Sequence, residues 1–186
     1  MHAKNSITQY GAVAQLFHWI IVCLIVTQFV LANKADALQG AAKIPTLALH
    51  KSVGMTILAL AILRLLWRWL NPVPPMPNDT PGWQRLAAHA SHWALYGLLL
   101  VIPLFGWLMS SARNFPVSWF NLFTFPDLIA PNRPRYEFFH DTHELLASIL
   151  FYVALVHIAA ALKHHFVNRD NVLRRMLPVR LKPEKP

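Results

Sequence analysis

Four stretches of the chain run apolar for about 20 residues or more, the length that crosses a hydrocarbon core as a helix, and polar residues gather between them. Residues 12–32 carry no charge. Residues 47–70 are apolar apart from Lys51 near one end and Arg64 and Arg68 near the other, where long basic side chains reach the interface. Residues 86–112 are uncharged and contain Pro103, which lacks a backbone donor and is expected to bend the helix. Residues 143–164 form the fourth span, uncharged from Leu145 to Leu162. The pattern predicts an all-α, four-helix bundle integral to a membrane, as one domain over 1–186.

The connectors are marked by their turn chemistry. Asn71-Pro72-Val73-Pro74-Pro75-Met76-Pro77 cannot continue a helix and separates the second span from the third. Asn114 to Asp141, with four prolines and the aromatics Phe115, Trp119, Phe120, Phe123, Phe125 and Tyr136, is read as a loop on the outer interface. Residues 165–186 are read as a basic cytoplasmic tail.

Composition agrees: 55% of the 186 residues are hydrophobic and 13% are charged, too few charges for a soluble domain of this size. The net charge of +9 sits in loops beside apolar spans, so anionic lipid rather than nucleic acid is the expected counter-charge. An even number of spans puts both termini on one side. That side holds eleven basic residues (Lys4, Arg64, Arg68, Arg85, Lys163, Arg169, Arg174, Arg175, Arg180, Lys182, Lys185) against six on the other (Lys34, Lys43, Lys51, Arg113, Arg133, Arg135). Both termini are therefore expected in the cytoplasm. Ala35-Asp36-Ala37 resembles a signal-peptidase site, but the apolar run before it is about twice a signal h-region, so cleavage is not expected. Cys23 is the single cysteine, which excludes an intrachain disulfide and a Cys-x-x-Cys-His haem attachment.

Ten histidines change the picture, because polar side chains in hydrocarbon cost free energy and mark functional sites. His143 and His157 are 14 residues apart, about 21 Å of rise and four turns less about 40°, so one helix face serves two stacked sites. Depth then assigns partners: His18 with His157 towards the cytoplasm, His50 with His143 towards the outside. A porphyrin lying flat on a helix needs missing volume one turn from its ligand. Ala14, Gly54, Ala147 and Ala161 each stand four residues from one of these histidines, although small residues are common at membrane helix interfaces in any case. Two non-covalent haem b groups are expected, each ring donating its second nitrogen to a carbonyl or polar group. With both axial positions filled the iron has no open site, which favours an electron carrier over an oxygenase. A metal-ion transporter would need carboxylates at mid-membrane, and no span has one there.

The chain resembles the bacterial cytochrome b561 proteins, related to the membrane cytochrome subunits of nickel-iron hydrogenases. The resemblance is carried by Leu16-Phe17-His18-Trp19, Leu49-His50-Lys51-Ser52-Val53-Gly54, Ala88-His89-Ala90-Ser91-His92, His143-Glu144, His157, Ala160 to Phe166 and Asp170 to Pro178. It implies two b haems on His18, His50, His143 and His157, and an activity of the superoxide:ubiquinone oxidoreductase type. The alternative is a cytochrome b subunit that links a partner dehydrogenase or periplasmic redox protein to the quinone pool. The expected partners are lipid, ubiquinone, and superoxide or another donor, with a homodimer or partner redox protein left open.

His164, two turns beyond His157 on the same face, is the first candidate to protonate quinone, with His89, His92 and Lys163 beside it. An equal reading makes Lys163, His164 and His165 a helix end whose cations favour the dipole. Outer Lys34, Lys43, Lys51, Arg113, Arg133 and Arg135 can steer superoxide or pair with haem carboxylates or lipid phosphates, while Asp36, Asp127, Glu137, Asp141 and Glu144 offset most of their charge. His140 is an alternative outer ligand placed by depth at the interface, and His2 is read as a disordered terminal residue. Trp19, Trp93, Trp107 and Trp119 are read as interfacial anchors or bundle packing.

Overall fold

The computed structural model describes residues 2–77 and 79–179. Arg180, Lys182 and Lys185, which entered the charge count, lie outside the described residues. Four long helices form a bundle: α1 (Ala12–Ala37), α2 (Lys43–Leu70), α3 (Gly82–Ala112) and α4 (Arg133–Lys163). All four are long and apolar enough to cross a membrane. α1 packs on α2, α2 on α3 and α3 on α4, whereas α1 and α4 stand apart along most of their length and are bridged by Phe29 against Phe151, ring centres 5.5 Å apart. Ile21, Leu31, Val53, Ile57, Ala61 and Leu99 make the shared core. Leu150 is the one buried residue of α4, which packs on α3 and leaves its remaining exposed apolar surface to lipid or to a bound group.

Residues 114–141 are not simply a loop. Val117–Trp119 (β1) and Phe123–Phe125 (β2) pair antiparallel, and α4 begins already at Arg133, ten residues before the span read from hydropathy. Hydropathy missed this start because the first turns of α4 are charged and lie beyond the apolar run. Asn132 caps the helix by accepting from Arg135 N–H at 3.0 Å, and Pro134 at the first turn needs no donor.

The hairpin is fastened to α2 beside His50. Lys51 Nζ donates to the carbonyls of Phe115 (3.0 Å) and Pro116 (3.3 Å), and Trp119 Nε1 donates to Thr56 Oγ1 at 3.0 Å. Ser52 Oγ lies 2.9 Å from the carbonyl oxygens of Ala48 and Ser118 and accepts from Phe120 N–H at 3.0 Å. Phe120 has φ 47°, a left-handed conformation that costs a non-glycine residue about 1–2 kcal/mol, so this N–H contact holds the turn in place. Ser52→Ala should leave that N–H unmet and cost about 1–3 kcal/mol. The expected readout is faster proteolytic cleavage inside the hairpin with the helices intact.

The opposite end is closed by the C-terminal residues. α4 passes into a π-turn (His164–Asn168) and ends at Arg169, which has φ 58°. The chain then runs as a strap across the start of α1. Trp19 Nε1 donates to Met176 O (2.7 Å), Gln9 Nε2 to Val179 O (2.7 Å), and Gln15 Nε2 lies 3.1–3.2 Å from the carbonyls of Tyr10, Arg175 and Leu177. The part of the expected tail that is described, residues 165–179, is thus folded onto the bundle. The N-terminal residues are ordered too: His2 O accepts from Ala12 N–H at 3.0 Å and Asn5 Oδ1 from Gly11 N–H at 2.9 Å, supplying acceptors that the first turn of α1 lacks. The reading of His2 as disordered is therefore corrected.

Candidate functional site

Beneath the hairpin, α1, α2, α3 and α4 enclose a cavity of about 560 Å³, within the range of pockets that hold small molecules and cofactors. His50 from α2 and His143 from α4 line it, with ring centres 6.2 Å apart and planes at 65°. Two imidazoles ligating one metal from opposite sides, each nitrogen about 2 Å from it, hold their ring centres roughly 6 Å apart. His143 Nδ1 lies 3.0 Å from Ile102 O, which assigns the proton to Nδ1 and leaves the Nε2 lone pair available. His50 Nδ1 is buried without a hydrogen-bond partner. The chain holds this level with neutral nitrogen donors and walls of Ile25, Phe29, Leu99 and Ala147. Such a donor set in an apolar slot fits a planar iron porphyrin.

Two residues that sequence reasoning passed over shape this level. Gln28, on α1, donates from Nε2 to His50 O at 3.0 Å, and its Oε1 is buried and unpaired. A Cβ on Gly54 would stand 3.0 Å from that Nε2, so the missing side chain at Gly54 makes room for Gln28 as well as for the cavity it lines. Gly106, on α3, lets the His143 ring lie against the helix backbone: a Cβ there would be 3.2 Å from Cε1 and 3.3 Å from Nδ1.

At the strap end three histidines gather. His157 (α4) and His92 (α3) have ring centres 5.3 Å apart at 64°, and His18 (α1) lies edge-on to Trp19 at 5.1 Å. His157, His92 and Arg64 are the titratable groups that act electrostatically on His18. His18 Nδ1 is buried without a partner. His92 lies ten residues into α3, at the level of His157. His89, one turn back, is exposed. His164 is buried, 7% exposed, with Nδ1 2.5 Å from Asp170 Oδ2 and 3.3 Å from Asn168 Nδ2. Asp170 Oδ1 in turn accepts from Val172 N–H at 2.9 Å. Exposed Lys163 donates to Asn168 Oδ1 at 3.4 Å.

A family model described as prokaryotic cytochrome b561 matches residues 9–179, which takes in the hairpin, all four helices and the strap. The chain belongs to that family. It is 35% identical to Cytochrome b561 homolog 2 of Escherichia coli (strain K12) over 182 residues, 95% of each chain. It is 34% identical to a protein named Probable superoxide oxidase CybB from Yersinia pestis, over 96% of this chain and 98% of that one. This cytochrome is thus an integral protein of the bacterial inner membrane, of a family that carries electrons in the membrane and whose name implies b-type haem.

The cations of the cytochrome's hairpin end are largely engaged within the fold. Lys51, besides its two carbonyl acceptors, lies 3.3 Å over the Phe115 ring. Lys43 pairs with Asp36 (3.4 Å), Arg133 with Glu137 (3.0 Å), and Arg113 donates to Tyr136 Oη (3.0 Å). His140 also lines the cavity, with its side chain 38% exposed and lying 3.2 Å from Asp141 and 3.4 Å from Glu144. Three tryptophans serve as polar ties: besides Trp19 and Trp119, Trp107 Nε1 donates to Pro126 O at 3.0 Å, while Trp93 packs on Tyr96.

Proposed function

We propose that this cytochrome transfers electrons from periplasmic superoxide to membrane ubiquinone through two b haems, one held by His50 and His143 and the other by His18 and His157, with both termini in the cytoplasm. The observation that carries the reading is the His50–His143 pair, its ring centres 6.2 Å apart across an apolar cavity within the membrane span. His50 and His143 would hold one haem and His18 and His157 the other, and a haem bound there would supply a one-electron couple. His143 is held for ligation by its Nδ1 contact to Ile102 O, and the hairpin clasped by Lys51, Ser52 and Thr56 covers the entrance. The superoxide assignment is supported by the relative that carries that name. The overall change takes one electron from each of two superoxide anions, releasing dioxygen, and adds two electrons and two protons to one quinone.

The protons are assigned to the strap end. His164, held at Nδ1 by Asp170, is the assigned proton donor to a quinone oxygen. Lys163, His92 and His89 are the other groups of this proposed quinone site. His164→Leu should therefore keep haem content and haem reduction by superoxide while losing reoxidation by ubiquinone. Unchanged reoxidation removes His164 from the reaction.

The donor is tested by generating superoxide enzymatically beside purified protein and following the haem absorption bands. Rapid reduction, abolished by superoxide dismutase, is the expected result. Haem that reduces only with dithionite would assign the protein to a different electron donor.

A further inference from the structure

Arg64 repeats on α2 the spacing that sets the two histidine levels on α4. It stands 14 residues after His50, as His157 stands 14 after His143, so both pairs span about 21 Å on nearly one helix face. His50 meets His143 at one end, and Arg64 acts electrostatically on His157 and His18 at the other. The α2 residue at the second histidine level is therefore an arginine.

Its surroundings contain positive and neutral groups but no acid. Arg64 lies 5.5 Å, and Arg68 5.9 Å, over the Tyr96 ring, and Tyr10 is near both arginines. Neither arginine has a carboxylate within ion-pair distance among the described residues. A partly buried guanidinium without a counter-charge is costly, and its planar fork matches a carboxylate or a phosphate. Position favours the carboxylate. Arg64 lies six residues before the end of α2 at Leu70, about 9 Å down the helix, where it acts on His18 and His157. A haem offers two carboxylates from one edge of its ring, and those cannot remain among apolar side chains.

We propose that Arg64, seconded by Arg68 and Tyr10, is the anion site that receives the carboxylates of the haem held between His18 and His157. This rests on the two-haem reading above. The cation also sets the haem's potential, because a nearby positive charge favours the form with the extra electron.

The test uses the intact holoprotein, produced with haem carrying ¹³C in its carboxylates. Redox-difference infrared spectra of the wild type identify label-sensitive carboxylate bands, and a potentiometric titration resolves the two haems. In Arg64→Leu, the bands and the midpoint potential of one haem are expected to move, the potential downward, with the other haem unchanged. Arg64→Lys should restore the potential, through its charge, but not the band position, which depends on the fork geometry. It also serves if the leucine variant does not assemble. Bands identical to wild type in the lysine variant, or bands and potentials identical in the leucine variant with two haems retained, overturn the proposal. Loss of co-purifying phospholipid phosphate on Arg64→Leu with the labelled bands unmoved would overturn it in favour of a lipid headgroup. Wild-type protein without haem would overturn the two-haem reading itself, which separates that failure from this one.

Discussion

His143→Ala is expected to strip one of the two haems from the purified protein and stop electron transfer across the membrane. The ring is placed by its Nδ1 contact to Ile102 O and faces His50 across the cavity, whereas His140, which also lines the cavity, is engaged with Asp141 and Glu144. Removing an outer-shell partner of a metal ligand already costs about 10–100-fold in affinity, and loss of the ligand costs more. Pyridine haemochrome per polypeptide should fall by half, with the remaining haem still reducible. His140→Ala is the control, since His140 is engaged with Asp141 and Glu144, and should leave both haems in place. If His143→Ala retains full haem content, the hairpin-end pairing is wrong.

Two glycines of α3 give a contrast almost as large. Glycine in a helix interior normally costs about 0.5–1 kcal/mol relative to alanine. At Gly97 an added Cβ meets nothing within 4 Å, so Gly97→Ala should raise the melting temperature slightly and leave the visible spectrum unchanged. At Gly106 the sign reverses. A Cβ would already crowd His143 at 3.2 Å, and the two further methyls of valine must push the ring off its Ile102 carbonyl or force α4 away. Gly106→Val should therefore lose the same haem as His143→Ala despite leaving every histidine intact. A valine variant with both haems and wild-type potentials would show that the ring need not lie against α3.

The bundle was legible because lipid leaves backbone polar groups no partner outside a helix, so an apolar run of sufficient length has one structural outcome. That His50 and His143 lie at one level of the bundle was legible too, since rise per residue converts sequence position into depth. What escaped depended on contacts between distant segments. The Val117–Phe125 hairpin has short strands flanked by proline, and its conformation is imposed by Ser52 and Thr56 on another element. The amphipathic start of α4 lies outside the apolar window that revealed the rest of it. The residues after His164 read as a basic tail because their charges are visible and the glutamine and tryptophan donors awaiting them on α1 are not.

The interval between His50 and Arg64, and its twin between His143 and His157, also limits how such a chain can change length. One residue inserted in either interval would turn everything beyond it by roughly 100° and lengthen it by about 1.5 Å, swinging one member of a facing set towards lipid while its counterpart stayed put. Insertions and deletions should thus be tolerated in the connectors, such as the proline-rich stretch after Leu70, and excluded from these two intervals unless both helices shift in step.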